Sequence, residues 1–303
     1  MKKYSEFLSI MIIFSVLSFS LQAYAEDREI TLGGKNFTEQ YLLTELAGIL
    51  LEKSGFKVNM KTGVGSVIAR KSLENGQFDL YFEYTGTAYT VYFAQKDREI
   101  MADPDKVYQW VKKADENKGL IWLDPILLNN TYTVMMRQKQ AEALGIKTIS
   151  DLAAYVNTHP DELEFALESE FWERPDGFKE MMKHYGFRLP PGQVKKMSVG
   201  LTYQALKNGH VNSAMGFATD GRIAAFGFTS LTDDKSFFPV YNPAPVVRKK
   251  ILDTYPQIRS LLKPLAASLT TYEVRILNSK IDVEHEPVRK TAEAWLRSKD
   301  LIK

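Results

Sequence analysis

Four histidines stand at His159, His184, His210 and His285, too widely spaced to form the His-x-x-x-His pair that puts two imidazoles on one helix face around a metal. The chain has no cysteine, so thiolate ligands, thiol nucleophiles and disulfides are set aside together. Lys61-Thr62-Gly63 and Ser54-Gly55-Phe56-Lys57 match two penicillin-interacting motifs in their letters. They lie almost adjacent and along an extended stretch instead of at a helix start, and are read as coincidence. Gly63-Val64-Gly65 lacks the third glycine of a dinucleotide fingerprint and the Gly-Lys-Ser/Thr of a P-loop. It reads as a tight strand-to-helix turn whose backbone amides are free to hold an anion. No nucleophile with an oriented base is visible. What remains is an abundance of rings, 15 tyrosines and 17 phenylalanines, and an arginine, Arg174, in Phe171-Trp172-Glu173-Arg174-Pro175-Asp176-Gly177. A ring in such a chain belongs by default to the core or to an amphipathic surface, and Arg174 by default makes a surface pair with Glu170 or Asp176.

The elements that would position these residues alternate. Glu29 to Leu32 predicts a strand, and Thr38-Glu39-Gln40 opens an amphipathic helix from Tyr41 to Ser54 with apolar residues at Leu42, Leu43, Leu46, Ile49 and Leu50. Lys57 to Lys61 predicts a strand, residues 66 to 75 a helix, and Phe78 to Glu83 a strand. A helix from Pro104 to Lys118 and a strand from Leu120 to Leu123 follow. A second series starts at Thr131 to Met136, with helices near Ile149 to Tyr155, Phe178 to Tyr185 and Thr202 to Asn208 and strands at Glu164 to Leu167 and Val211 to Phe217. Pro239 to Val247 returns to extended structure, and helices over Val247 to Tyr255, Pro256 to Ala267 and Val288 to Arg297 close the chain. Strands separated by helices imply an α/β fold with parallel pairing. Ligands in open α/β sheets bind beyond the carboxyl ends of strands, where Tyr84, Tyr132 and Phe217 would lie.

Lys2 and Lys3, an apolar run from Phe7 to Leu21 containing four serines, and Ala23-Tyr24-Ala25 before Glu26-Asp27 have the plan of a cleaved secretory signal peptide over residues 1–25. The run falls short of the roughly 20 residues needed to span a bilayer. Removing the leader takes two lysines and one glutamate from 39 basic and 37 acidic residues and leaves 37 against 36, a balance unsuited to nucleic acid or an anionic membrane surface. With no cysteine to carry a lipid anchor, an untethered secreted protein points to a periplasm. About 278 mature residues make one large domain or two medium ones.

Glu83-Tyr84-Thr85-Gly86-Thr87, some fifty residues after Gly34-Lys35-Asn36-Phe37-Thr38-Glu39-Gln40, resembles the binding proteins of osmoprotectant ABC importers. So do Asn129-Asn130-Thr131-Tyr132-Thr133, Glu170-Phe171-Trp172-Glu173-Arg174, Thr219-Asp220-Gly221 and Pro243-Ala244-Pro245-Val246-Val247-Arg248, in that order and spacing. The resemblance implies a two-lobed periplasmic binding protein fold of type II kind with two crossing strands. One lobe would be residues 26–128 plus 238–303, and the inserted lobe residues 129–237. It implies capture of a small zwitterionic or cationic solute such as glycine betaine, choline or carnitine, delivery to a permease in the inner membrane, a monomer, no cofactor and no catalysis.

A quaternary ammonium has no N–H, so hydrogen bonds cannot hold it and electron-rich ring faces must surround it. The resemblance places such rings at Tyr84, Tyr132, Phe217 and Tyr241. Relatives usually carry tyrosine at the third position, and Phe217 keeps the face without the hydroxyl. Each desolvated contact contributes about 2 kcal/mol, so three or four give roughly 6 to 8 kcal/mol before the costs of closure, enough for micromolar binding. The resemblance also assigns Arg174 to a ligand carboxylate, and Lys35 and Thr87 to polar contacts from the first lobe; the residues alone leave Lys35 equally well solvated. Rival readings are a binding protein for another amine or amino acid, a ligand-sensing module for a membrane receptor, and a periplasmic hydrolase.

Overall fold

Apolar residues alternate with polar ones from Glu29, and this stretch becomes the inner strand β1 (Glu29–Lys35), parallel to β2 (Lys57–Val64) on one side and to β3 (Leu80–Tyr84) on the other. The computed structural model describes residues 28–303; the leader expected over 1–25 lies outside the described residues. Helices α1 (Thr38–Lys53) and α2 (Ser66–Glu74) make the crossovers, and α3 (Pro104–Glu116) leads to the edge strand β4 (Leu120–Trp122). The chain then builds a second sheet from β5 (Tyr132–Arg137), β6 (Phe165–Leu167), β7 (Val194–Lys196), β8 (Ser213–Phe217) and β9 (Phe228–Ser230). Among them run α4 (Ile149–Thr158), α5 (Ser169–Glu173), α6 (Phe178–Tyr185) and α7 (Val199–Lys207). It returns as β10 (Pro243–Arg248) and ends in α8 (Ile258–Ser268), α9 (Thr271–Asp282) and α10 (Val288–Ser298). The strand orders are β2-β1-β3-β10-β4 and β7-β6-β8-β5-β9, a two-lobed α/β arrangement.

Parallel pairing holds for β1, β2 and β3 and for β6, β7 and β8, but β10 runs antiparallel to β3 and β4, and β5 antiparallel to β8 and β9. These are the first strands formed after each passage between sheets. No crossover helix intervenes to turn the chain back on itself, so the strands enter in the opposite sense.

Each sheet is covered on both faces, as parallel strands require. Side chains alternate along β5: Val134 and Met136 join the core beneath α4 and α6, and Met135 the core beneath α7. In the first sheet Leu80 and Phe82 face a core shared with α1 and the closing helices, and Tyr81 faces the opposite side with Val107 and Trp122.

The sequence reading has no helix over Thr271–Asp282, yet the signal is local. Thr270 and Glu273 form a capping box, each side chain accepting from the other's backbone N–H. Thr270→Ala removes an N-cap worth about 1 kcal/mol. A urea titration should show the midpoint falling with its slope unchanged.

Candidate functional site

Three strand ends and two connecting segments bring five rings together. Tyr84 closes β3, Phe217 closes β8, Tyr132 opens β5, Tyr241 stands two residues before β10, and Phe37 precedes the first turn of α1. The carboxyl-end expectation holds for Tyr84 and Phe217. Tyr132 begins its strand instead, and reaches the same edge because β5 is antiparallel to β8, with Tyr132 opposite Phe217 in register. Gly86 permits the close approach of the returning segment, since a Cβ there would lie 2.7 Å from the Val240 carbonyl oxygen and 2.8 Å from the Tyr241 ring.

The five rings, Thr87 and Arg174 line one cavity of about 30 Å³, roughly the share of one water molecule. Ring centroids lie 5.0 Å apart for Phe37 and Phe217, 5.2 Å for Tyr132 and Phe217, and 6.0 Å for Phe37 and Tyr84. Tyr241 meets Tyr132 edge-on at 5.7 Å. The rings pack against one another at ordinary aromatic distances, so a solute enters only when they part. A wider groove of about 1110 Å³ runs between α9 and β9, but it includes none of Tyr84, Phe217, Tyr241 or Arg174.

Arg174 follows α5 and is 5% exposed. Its Nε and Nη2 donate to the two carboxylate oxygens of Asp176 at 2.7 Å each, Nη2 also donates to the Thr87 hydroxyl at 3.2 Å, and Nη1 reaches Glu170 at 3.3 Å. The expected pairing with Glu170 and Asp176 is present but buried instead of at the surface, and the guanidinium stands in the cavity wall, 5.3 Å from the centroid of Tyr132. Asp176 further accepts from the hydroxyls of Tyr241 and Thr90, each at 2.7 Å. Burial pushes its carboxyl up, but Arg174 and these donors more than reverse this and hold it below the usual aspartate range.

Glu170 is likewise raised by burial, then carried below its ordinary value by Arg174 and by Ser66. The Ser66 amide donates to Glu170 at 3.1 Å. An amide just after the Gly63-Val64-Gly65 turn thus holds a carboxylate from the part of the chain that builds the second sheet. Glu168, also in the cavity wall, is raised by burial and by the neighbouring charge of Glu170.

Lys35 stands apart from the cavity and is not solvated. Its Nζ donates to Glu83 at 2.5 Å with both side chains buried, and Glu83 also accepts from the hydroxyls of Tyr81 and Tyr92, each at 2.7 Å. The ammonium lies 5.1 Å from the centroid of Tyr84, on one of the cavity's rings. Sequence reasoning missed Phe37, Glu39, Asn130, Glu168 and Asp176 as parts of this region. Phe37 and Glu39 sit inside a motif read for its family resemblance, its helix start and Lys35, yet Glu39 accepts from the Tyr84 hydroxyl at 2.7 Å and from Asn130 Nδ2 at 3.0 Å.

Among the described residues no helix is long and apolar enough to cross a membrane, and no three His, Cys, Asp or Glu side chains are grouped to hold a metal ion.

Fold and sequence both have relatives. Residues 28–298 match the family described as the substrate binding domain of ABC-type glycine betaine transport system. The chain is 39% identical over 284 residues to the glycine-betaine-binding protein of Pseudomonas aeruginosa, covering 92% of this chain and 90% of that one. It is 33% identical over 300 residues to the glycine betaine-binding protein YehZ of Escherichia coli, covering 97% of each. Its fold is similar to the crystal structure of a glycine betaine/carnitine/choline ABC transporter, with a TM-score of 0.72 at 27% identity over 90% of this chain and 99% of that one. The family consists of transport binding proteins and not of enzymes, and this chain belongs to it.

Proposed function

We propose that the chain captures a quaternary-ammonium solute of the glycine betaine or choline type among Phe37, Tyr84, Tyr132, Phe217 and Tyr241 and delivers it to the permease of an ABC importer. The observation that carries this reading is the convergence of five rings, from both sheets and from the segments joining them, on one cavity. A trimethylammonium group seated there meets ring faces in a desolvated setting, at about 2 kcal/mol for each good contact.

The charges of the wall sort the candidates. Arg174 is already matched by Asp176, and Glu168 and Glu170 add negative charge. A choline-like cation leaves these pairs intact. A betaine carboxylate takes the Nη1 edge of Arg174 in exchange for the 3.3 Å contact to Glu170, the longest of the guanidinium's hydrogen bonds and the easiest to replace.

Residues 26–128 with 238–303 act as one body and 129–237 as the other, closing about the two crossing segments. These segments are tied by Asn130 N–H to the Tyr241 carbonyl at 3.1 Å and Ile126 N–H to the Pro243 carbonyl at 2.8 Å. Opening parts the rings and frees Glu170 from Ser66; closure around a solute restores both and presents the two lobes together to the permease. The protein works as a monomer in the periplasm after removal of residues 1–25, without a lipid.

Titration calorimetry with glycine betaine, choline, carnitine, proline betaine and arginine tests the reading. Micromolar binding of at least one quaternary amine and none of arginine is expected; arginine binding without any quaternary amine would overturn it.

A further inference from the structure

Behind Tyr84 lies a second, smaller cavity of about 10 Å³, at the junction of α1, the first crossing segment, the segment after β8, and α9. Three side-chain oxygens belonging to its wall residues have no hydrogen-bond partner among the described residues: Glu39 Oε2, Asn130 Oδ1 and Asn278 Oδ1. Their residues are 2%, 4% and 3% exposed. Turning either amide over does not help, because the nitrogens are already committed. Asn130 Nδ2 donates to Glu39 Oε1 and Asn278 Nδ2 to the Thr219 carbonyl, each at 3.0 Å. Three buried acceptors therefore lack a donor, a costly arrangement for a folded interior.

Charge is unbalanced in the same direction. Asp220 stands beside Glu39, and its guanidinium partner is Arg222, which donates through Nε to Asp220 at 2.9 Å and also lies 3.3 Å from Asp282. Two carboxylates thus share this guanidinium, and Glu39 has no cationic partner among the described residues. Burial raises Glu39, the neighbouring Thr219 side chain and the Tyr84 and Asn130 donors to its Oε1 offset part of this, and Asp220 adds to it.

A water molecule brings two protons to three acceptors and no charge, and a proton on Glu39 supplies one donor. A small cation asks for acceptors alone and balances a carboxylate. The donor set is oxygen only, which suits a hard ion. A calcium ion takes about six to eight oxygens with several carboxylates among them, and a magnesium ion keeps several waters; three free oxygens with a single carboxylate among them match one positive charge instead.

We propose that this junction is a binding site for a small monovalent cation such as Na⁺, held by Glu39 Oε2, Asn130 Oδ1 and Asn278 Oδ1. The ion links α1, the first crossing segment and α9 at the point where Asn278 holds the Thr219 carbonyl. It also fixes Glu39 against the Tyr84 hydroxyl. Ion and solute then favour the same closed arrangement, and each strengthens the other; this coupling, unlike the site itself, rests on the proposed function.

The test uses the full chain at pH 7, comparing NaCl with N-methyl-D-glucamine chloride at constant ionic strength. In the wild type, Tm should rise with the logarithm of Na⁺ concentration, and it should stay flat in Glu39→Gln and in Asn278→Leu, the second variant serving if the first does not fold. Choline or glycine betaine should bind about fivefold more tightly in Na⁺. Equal Tm in the two salts would overturn the site in favour of water. No Na⁺ response, together with stability lost as pH rises through a raised Glu39 pKa, would overturn it in favour of a proton. A Na⁺-dependent Tm in a protein that binds no quaternary amine would support the site and count against the proposed solute.

Discussion

Arg174→Ala is expected to separate two ligands that share a headgroup. Affinity for glycine betaine should fall by tenfold or more, since a charge-assisted hydrogen bond to its carboxylate contributes about 1.5 to 3 kcal/mol. Choline makes no such contact. Removing a cation from a wall that keeps Glu168 and Glu170 leaves its affinity unchanged or improves it. The substitution also acts on the fold, because Asp176 remains buried with only the hydroxyls of Tyr241 and Thr90. Breaking one side of a buried pair costs about 3 to 5 kcal/mol. Adding Asp176→Asn removes the stranded charge and should recover most of that stability without recovering glycine betaine affinity.

The acid limb of stability supplies a further check. Asp176 has a lowered folded pKa, so its contribution is present above the ordinary aspartate value and is lost as pH falls through the lowered one; without Arg174 that contribution disappears. Calorimetry with both ligands and urea unfolding of all three proteins decide the matter. Parallel losses for the two ligands would mean that Arg174 serves folding or closure and not a carboxylate.

Tyr132→Ala should weaken any quaternary amine by about 2 kcal/mol, roughly thirtyfold. The ring is central: Phe171 lies 4.5 Å from it, Phe217 5.2 Å, Tyr241 5.7 Å and the Arg174 guanidinium 5.3 Å. Tyr84 and Tyr241 are poorer choices for isolating a ring face, because their hydroxyls hold Glu39 and Asp176 and truncation would disturb those carboxylates as well. Tyr132→Phe keeps the face and should bind within about twofold of the wild type, under 0.5 kcal/mol. Truncation to alanine in a packed interior also lowers stability by about 3 to 5 kcal/mol, so affinity is to be measured well below the melting transition, with circular dichroism confirming the fold. A folded Tyr132→Ala protein of unaltered affinity would remove this ring from the binding surface.

The order of strands and helices was legible because it rests on local periodicity, and most expected elements lie within a few residues of those observed. The sequence reading ends β1 at Leu32, three residues early, because Gly33-Gly34 interrupts the apolar alternation. Yet Gly33 still pairs with Lys61 and Lys35 with Val64, across an irregularity in register. The helix α9 was missed although its capping box is written in four consecutive residues. Its amphipathic stripe is short, with Val274, Leu277 and Asn278 as its buried residues, so the apolar period was weak where the cap was strong.

Ring positions were visible for a different reason. Tyr84 and Phe217 end strands, and the carboxyl end of a strand in an α/β sheet has a foreseeable location, whereas Tyr132, which begins its strand, and Tyr241, which precedes one, were named through the family resemblance. Phe37 escaped because it belongs to no strand; an extended backbone at the start of α1 and the meeting of the lobes bring it to 5.0 Å from Phe217.

The sequence by itself determined the α/β class, the near-neutral charge, the absence of thiol chemistry and the aromatic character of the strand ends, all of which follow from composition and short-range pattern. Only the tertiary structure decided which polar and charged groups meet. Lys35 and Glu83 are 48 residues apart, Thr90 and Asp176 are 86, and Glu39 and Asn130 are 91. Whether a lysine is solvated or buried, whether an arginine faces a solute or a neighbouring carboxylate, and whether a glutamate at a helix start meets water or another lobe depend on desolvation and on partners within a few ångströms. Those quantities are set by how the two sheets meet, and no periodicity along the chain encodes them.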